Sequence, residues 1–200
     1  MEVEPIRDMA DVKRFYNWLK ENCTVREAEC FLIGCNVALR AGDLLKLKFS
    51  DIKGKYIDLH EQKTTKFKRI PITQVVLDAV ERLREFYLNS GFYKSKSKAF
   101  EPIYLFQGTG SRAYHLRQPI CIQWLSICFK KASKALDFDF NVNTHTMRKT
   151  WGYQAYTNDQ DILYIQAAFN HSNQRVTLNY IGITRSTVEQ MYRDNTLDFA

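Results

Sequence analysis

The stretch NVNTHTMRKTWGYQAY, at positions 141–156, contains two residue types that can act together on a phosphate. His145 and Arg148 are three positions apart, so in a helix they project from the same side, about one turn apart. Met147 and Trp151 lie toward the other side, so the polar pair is expected to face away from the core. Arginine donates two parallel hydrogen bonds to phosphate oxygens, and histidine titrates near neutral pH. Because His-x-x-Arg pairs are also common on solvated helix faces, the spacing alone leaves both interpretations open.

Further polar candidates lie upstream. Arg40 falls at the end of an apolar helical segment, with Asp43 three positions later. As structural residues, Arg40 would complement a helix C-terminus and Asp43 would cap the short helix DLLKL. Lys63 shares a polar stretch with Lys66 and Lys68, where an exposed lysine is ordinarily only solvated. Each of these residues therefore has a structural interpretation beside a functional one.

Two more candidates lie downstream, in AAFNHSNQRVTLNYIGI. His171 alone could be a turn residue that caps the next helix. Tyr180 alone is one of eleven tyrosines and would be placed in the core or on the surface. Neither residue identifies a site by itself.

The periodicity of the apolar residues predicts a mainly α chain with one small antiparallel β-hairpin, an α+β fold. In the first half, helices are predicted over about residues 8–22 and 26–39, and Gly42 is expected to end the second helix near Arg40. A hairpin is predicted at 56–72, with Pro71 closing its edge strand. Thr73 then caps a helix with one buried face, formed by Val76, Leu77, Val80, Leu83 and Tyr87. The predicted second half has a short strand at 104–106, a helix over 118–136, and helices from Thr144 onward with breaks at 157–159, at 170–173 and near Gly182. The KSKSK run at 94–98 is expected to be a solvated loop, with a secondary phosphate contact as the alternative.

The composition favours one domain with a polyanionic partner. The chain has 200 residues, 45% of them hydrophobic, which suits a single core. Lys and Arg outnumber Asp and Glu by 29 to 22, for a net charge of +7 and a pI near 9.1. The five cysteines form no CxxC pair, and no apolar run has the length of a membrane span. A reduced, cytoplasmic protein is expected.

Four segments, taken in order, resemble the catalytic domain of the tyrosine recombinase, or phage integrase, family. They read ALRAGDLLKLKFSDI, EQKTTKFKRIPI, THTMRKT and AAFNHSNQRVTLNYIGI. The family pattern has an arginine closing an early helix with an acidic residue three later, a lysine in a β-hairpin, His-x-x-Arg opening a later helix, and a histidine in a turn followed nine residues later by a tyrosine. The resemblance runs from about residue 10 to residue 183, and the positions are filled by Arg40, Asp43, Lys63, His145, Arg148, His171 and Tyr180.

The resemblance implies a role for each position. Arg40 and Arg148 would clamp the phosphate against the charge of a pentacoordinate transition state. Alignment on the following RIPI selects Lys63 over Lys66 as the general acid for the departing 5′ oxygen. The remaining implied roles are a base for His145, a hydrogen bond to a non-bridging oxygen for His171, the nucleophile for Tyr180, and architectural support for Asp43. No metal or cofactor is implied.

The resemblance also implies the surroundings of the enzyme. We expect a single catalytic domain over residues 1–200, without the N-terminal core-binding domain of most relatives. The partner would be double-stranded DNA with paired recombination sites, bound by a homotetramer that is a monomer or weak oligomer off DNA, with accessory DNA-bending proteins. The location would be nucleoid DNA, for a protein encoded by a bacterium, a phage or another mobile element. Two positions depart from the pattern: Asn170 replaces a usual glycine, and Lys149 replaces a common second histidine.

The expected function is site-specific cleavage and rejoining of DNA through a covalent 3′-phosphotyrosyl intermediate. The enzyme-class alternative is relaxation of supercoils in the manner of a type IB topoisomerase. The non-enzyme alternative is an accessory DNA-binding protein that keeps the fold without cutting. The target sequence, the base-reading residues, and the choice among integration, excision, inversion and resolution stay open.

Overall fold

The part of the chain that the structure describes contains helices with one apolar face and a single two-stranded hairpin. The structure is a computed structural model that describes residues 3–89, 102–110, 115–183 and 185–196. Its elements are α1 (Met9–Asn22), α2 (Val25–Val37), α3 (Ala41–Leu44), a 3-10 helix (Phe49–Ile52), β1 (Tyr56–His60), β2 (Phe67–Pro71), α4 (Gln74–Asn89), α5 (Ile122–Ala135), α6 (Thr144–Thr157), α7 (Ile162–Phe169), α8 (Gln174–Tyr180) and α9 (Arg185–Asp194). The predicted α+β class is confirmed, as are the hairpin and the breaks between the C-terminal helices.

Helix α2 is the centre of the main core, where α1, α4 and α6 pack against it. Thr24 and Glu27 form a capping box at its start. Its end differs from the prediction. The helix stops at Val37 because Ala38 adopts the left-handed conformation, with φ 51° and ψ 31°, while Gly42 lies inside α3. The left-handed Ala38 turns its backbone carbonyl toward the site described below.

The hairpin pairs β1 with β2 in antiparallel register, from Tyr56 opposite Pro71 to His60 opposite Phe67. Ile57 and Ile70 face each other across the pair and are both buried. This period-2 burial holds one face on the core and leaves the connecting loop, residues 61–66, near the site.

Two predictions in the middle of the chain are wrong, and a third lies outside the described residues. Leu77 is exposed, and Ala79 takes its place on the buried face of α4, since a helix turn of 3.6 residues carries position 77 past the core. Residues 104–106 form no strand: Tyr104 makes an isolated bridge to Lys48. The KSKSK run lies outside the described residues.

A close approach of helices α7 and α8 to α6 builds the C-terminal part. A Cβ atom at Gly152 would lie 2.5 Å from Phe169 Cζ and 2.7 Å from Ile181 Cγ2. Only glycine leaves room for this packing, which forms a second cluster with Phe169 and Ile181 buried and Trp151 and Tyr180 partly buried around them. The end of α8, and with it Tyr180, is thereby held against the first half of α6. Among the described residues, no helix combines the length and the apolar character needed to cross a membrane.

Candidate active site

Five of the seven predicted site residues come together around the Phe169 ring and the Glu61 carboxylate. These five are Arg40, His145, Arg148, His171 and Tyr180. They come from the turn after α2, from α6, from the turn before α8 and from the end of α8. Residues far apart in sequence therefore meet at one point.

Arg148 is buried, with a relative exposure of 2%, and this corrects the expectation that the His-x-x-Arg pair faces away from the core. Its Nη1 donates to the carbonyl of Ala38 at 2.7 Å, and its Nη2 donates to the carbonyl of Phe169 at 2.7 Å. The guanidinium also lies over the Phe169 ring, 4.5 Å from the centroid. The helical pattern of the sequence did not predict this burial, because the buried charge is satisfied by two backbone carbonyls at the ends of neighbouring helices.

Arg40 is held differently. It is the N-cap residue of α3, and its side chain keeps 22% of its surface exposed. Its Nη1 lies 2.8 Å from Glu61 Oε1, an ion pair that is close in distance but not aligned as a hydrogen bond. In the part of the chain that the structure describes, no hydrogen bond reaches Arg40 Nε or Nη2. These two nitrogens form the edge of the guanidinium that suits an incoming anion.

Glu61 is the residue that the sequence analysis missed. Its carboxylate is fully buried, accepts hydrogen bonds from Asn170 Nδ2 at 2.9 Å and Thr64 Oγ1 at 2.8 Å, and lies 3.7 Å from Arg148 Nη1. Burial by itself raises the pKa of Glu61, but the hydrogen bonds from Asn170 and Thr64 and the pairing with Arg40 outweigh it and lower the pKa to about 2. Glu61 is therefore ionised throughout the neutral range. A glutamate beside the predicted Lys63 was the available signal.

Tyr180 and His145 form the pair that could transfer a proton. The Tyr180 hydroxyl lies 3.5 Å from His145 Nδ1. Burial raises the pKa of Tyr180 above its ordinary value, against the opposing charges of Arg148 and Arg40, so the phenol is protonated at rest. Burial, together with the charges of Lys149 and Arg148, lowers the pKa of His145. A neutral imidazole, which can accept a proton, therefore lies beside a neutral phenol, which can donate one.

His145 owes its place to the start of α6. Asn143 is the N-cap residue, and its side chain accepts a hydrogen bond from the backbone N–H of His145 at 2.7 Å. His145 therefore stands in the first turn of the helix and retains solvent exposure, while Arg148, one turn later, lies in the interior.

His171 packs its ring against Phe169 and Tyr180, with centroids 5.1 Å from each. Burial and the charge of Arg148 lower the pKa of His171 to about 4, so its imidazole is neutral at neutral pH. Nδ1 lies 3.1 Å from the hydroxyl of buried Thr177. A neutral histidine donates from one nitrogen only, so a donor role for Nε2 requires Thr177 to donate to Nδ1.

The three lysines of the hairpin differ in burial and in hydrogen bonding. Lys63 and Lys66 are exposed on the connecting loop, and among the described residues neither side chain makes a hydrogen bond or an ion pair. Lys68 is half-buried, and its Nζ donates to the same Ala38 carbonyl that Arg148 uses, at 3.1 Å. Burial and the charge of Arg148 lower the pKa of Lys68 to about 8. Sequence reasoning treated Lys68 only as a hairpin lysine, yet it is the one that points into the site.

Asp43 and the two departures from the family pattern, Asn170 and Lys149, lie beside the site residues. Asp43 is not a helix cap: it lies inside α3, and its Oδ1 accepts a hydrogen bond from the backbone N–H of Gln62 at 3.0 Å, next to Lys63. Asn170 ends α7 in the left-handed conformation, with φ 51°, which explains why a glycine suits this position. Lys149 is buried, with its Nζ 5.0 Å from the Tyr180 ring centroid.

The arrangement places four cationic or hydrogen-bonding side chains around one tyrosine. No cluster of three or more potential metal ligands occurs among the described residues. The cationic charge at the site comes from arginine and lysine, which bind phosphate through N–H donors. The chemistry that such a set can perform is transfer of a phosphoryl group to the tyrosine hydroxyl.

Comparison with known proteins identifies relatives of this chain. The model of the phage integrase family matches residues 8–186. The chain is 30% identical over 192 residues to the probable integrase/recombinase YoeC of Bacillus subtilis (strain 168), and the match covers 96% of both proteins.

Solved structures share the fold. The XerA recombinase aligns with a TM-score of 0.70 at 19% identity, covering 100% of this chain and 66% of that one. A lambda integrase dimer bound to a COC′ core site aligns with a TM-score of 0.65 at 18% identity, covering 100% of this chain and 64% of that one. The chain thus spans about two thirds of the length of these two solved proteins. Their catalytic-domain fold is the fold seen here.

Proposed function

This chain belongs to the phage integrase family, and we propose that it is a site-specific recombinase that cleaves and rejoins DNA through a covalent 3′-phosphotyrosyl intermediate. The observation that carries the proposal is the convergence of the Tyr180 side chain with His145, Arg148 and His171, with Arg40 on the Glu61 carboxylate that also borders Arg148. A chance set of polar side chains would not be assembled from three separate segments around one phenol.

The first step is attack of Tyr180 Oη on the phosphorus of a DNA phosphodiester. The bond from Tyr180 Oη to phosphorus forms while the bond from phosphorus to the 5′ oxygen breaks. The phenolic proton passes to His145 Nδ1, which is 3.5 Å away before substrate binds. Such contacts commonly shorten when the substrate is bound. The lowered pKa of His145 keeps the imidazole free to accept that proton.

Arg40 and Arg148 stabilise the transition state, in which an extra negative charge develops on the phosphoryl oxygens. Preorganised donors lower the barrier most when they need no rearrangement during reaction. Arg148 meets that condition through its two carbonyl acceptors, and Arg40 presents its Nε and Nη2 edge. His171 adds a hydrogen bond to a non-bridging oxygen.

Lys63 protonates the departing 5′ oxygen. Its exposed position on the hairpin loop, without a partner among the described residues, lets it approach bound DNA. Rejoining is the reverse reaction: the 5′ hydroxyl of a second strand attacks the phosphotyrosine, and Tyr180 recovers its proton. The phosphotyrosyl bond conserves the energy of the broken phosphodiester, so the exchange consumes no ATP.

The substrate in this proposal is double-stranded DNA with paired sites. The net charge of +7 supports a polyanionic partner. Among proteins of the same fold, the XerH recombinase has been solved bound to a palindromic difH substrate, and the Tn1549 transposon integrase in complex with circular intermediate DNA. Exchange of four strands needs four tyrosines, which favours a homotetramer on DNA.

The test is covalent capture from a pool of DNA duplexes with randomised sequence, each nicked so that cleavage releases a short fragment and traps the adduct. We expect wild type to form an adduct that survives denaturation and to enrich a common sequence, and Tyr180→Phe to form none. The proposed function is wrong if wild type captures nothing from the pool, or if Tyr180→Phe still forms the adduct.

A further inference from the structure

The buried carboxylate of Glu61 has no part in any step of the proposed reaction, although it lies at the centre of the site. We propose that Glu61 is a positioning residue that holds Arg40 ready for phosphate and ties the Lys63 loop and the His171 turn to it. This inference rests on the proposed function for its consequence in catalysis. Its structural half, the immobilisation of Arg40, stands independently.

The side-chain contacts of Glu61 reach four segments that carry proposed catalytic residues. Oε1 lies 2.8 Å from Arg40 Nη1 and 3.7 Å from Arg148 Nη1. Oε2 accepts from Thr64, the neighbour of Lys63, and from Asn170, the neighbour of His171. One carboxylate thus joins the turn after α2, the hairpin loop, helix α6 and the turn after α7.

The backbone of Glu61 fixes the loop as well. Its N–H donates to the carbonyl of Lys66 at 3.0 Å, and its carbonyl accepts from the N–H of Thr65 at 2.8 Å. These bonds close the loop on both sides of Lys63. The side chain of Lys63 is left free, while the backbone on its C-terminal side is bonded to the backbone of Glu61 and the Thr64 hydroxyl is bonded to the carboxylate.

The geometry leaves the reactive edge of Arg40 open. Glu61 approaches from the buried side and engages Nη1, and the exposed part of Arg40 carries Nε and Nη2. A planar guanidinium with five donors can therefore keep the carboxylate on one side and accept a phosphate on the other. Glu61 orients the arginine without occupying the edge needed by substrate.

The two arginines depend on Glu61 to different degrees. Arg148 keeps its carbonyl acceptors on Ala38 and Phe169 when Glu61 is changed. Arg40 has no other side-chain partner in the described part of the chain. Loss of the carboxylate is therefore expected to release Arg40 and leave Arg148 in place, a selectivity that general loosening of the fold would not produce.

The charge of Glu61 also opposes phosphate binding, because a carboxylate near the site weakens the attraction of its cations for an anion. Glu61→Gln removes that charge and keeps the size of the side chain. We expect the variant to bind DNA as tightly as wild type, or more tightly, and to cleave on the order of tenfold to a hundredfold more slowly, the scale of a misplaced catalytic group. Unfolding would instead weaken both properties together.

The direct experiment measures the side-chain order of the arginines in the free protein by ¹⁵N relaxation of their Nε–H groups. Arg40→Lys assigns the Arg40 signal. In wild type we expect both Arg40 and Arg148 to be rigid, and in Glu61→Gln and Glu61→Ala we expect the Arg40 order parameter to fall below about 0.6 while Arg148 stays rigid. Asp58→Asn is the matched control, because it removes an exposed carboxylate paired with Arg69 on the same hairpin. It should leave both signals unchanged.

The inference is wrong if Arg40 keeps its order in both Glu61 variants, or if Arg148 loosens equally. Adduct formation by the same proteins then supplies the second measurement. If wild type forms the adduct and Glu61→Gln forms it at the same rate, the catalytic half of the inference is wrong and the proposed function still stands. Absence of any wild-type adduct would overturn the proposed function, and the relaxation data would still decide whether Glu61 positions Arg40.

Discussion

Arg148 and Arg40 direct the same charge toward the same proposed phosphate, but the protein holds them in opposite ways. Arg148 is buried and bonded to two backbone carbonyls at helix ends, so its position is part of the fold. Arg40 is partly exposed and paired with one carboxylate from the hairpin loop. One half of the cationic site is therefore built into the core, and the other half depends on the position of the hairpin loop.

The largest effect is expected from Arg148→Lys. A lysine cannot donate to the Ala38 and Phe169 carbonyls in the fixed directions of a guanidinium, so the charge moves away from its place over the Phe169 ring. We expect adduct formation to slow by about a hundredfold or more, with DNA binding largely kept. Single-turnover capture and binding titrations measure the two properties, and thermal unfolding checks that the variant is folded.

Arg40→Lys is the matched comparison. The ammonium group can still pair with Glu61 and present a positive charge, so we expect a loss of about tenfold, smaller than that of Arg148→Lys. If both variants lose the same factor, the distinction between a built-in and a hairpin-dependent arginine is wrong.

Lys63→Ala tests whether the hairpin loop supplies the proton for the leaving group. Loss of a general acid is expected to slow cleavage by about a hundredfold on ordinary DNA. A substrate with sulfur in place of the bridging 5′ oxygen needs no proton to leave, so it should restore most of the rate. Lys66→Ala is the control and should change the rate little on either substrate. If the sulfur substrate restores the rate of Lys66→Ala or Lys68→Ala, and not that of Lys63→Ala, the general acid is that other lysine.

The pH dependence of cleavage tests the pairing of Tyr180 with His145. Because burial lowers the pKa of His145, the neutral, proton-accepting form predominates above that pKa. The cleavage rate is therefore expected to stay level down to pH 6.5, the ordinary value for histidine, and to fall only once the pH drops below the lowered pKa of His145, by up to about tenfold per pH unit. His145→Gln should be slow at every pH and lose this dependence. A profile identical in the variant and wild type would remove His145 from the role of base.

The smallest effect is on stability and concerns Glu61. Its pKa is about 2 in the folded protein, below the ordinary value of 4.5, so ionised Glu61 stabilises the fold above about pH 4.5, and that contribution is lost as the pH falls toward 2. Glu61→Gln lacks it. We expect a melting temperature several degrees below wild type at pH 7, with the gap narrowing between pH 4.5 and 2. A gap that is constant over this range would show that the charge contributes nothing.

The apolar pattern was sufficient to predict the fold class, and the ordered set of polar motifs was sufficient to nominate five residues that meet in space. Tyr180 lies nine positions after His171, which falls in a turn, and Tyr180 ends the helix that follows this turn. A helix of that length folds the tyrosine back onto the histidine ring. Local spacing was informative because the contact itself is local.

The burial of Arg148 and the role of Glu61 could not be predicted in the same way. The carbonyls that accept from Arg148 belong to Ala38 and Phe169, whose side chains say nothing about hydrogen bonding. Glu61 matters only because three distant segments close on it. Asn170 is intermediate: its place after α7 suits the left-handed conformation, but its partner becomes visible only in three dimensions.

The most direct test of the central claim is to identify the residue that becomes bound to DNA. Trypsin would release Tyr180 in the peptide VTLNYIGITR, residues 176–185, where it is the only tyrosine. Mass spectrometry of the trapped adduct, after digestion of protein and DNA, is expected to find a nucleotide 3′-phosphate joined to this tyrosine. A nucleotide on any other residue, or an unmodified peptide from a purified adduct, would contradict the mechanism.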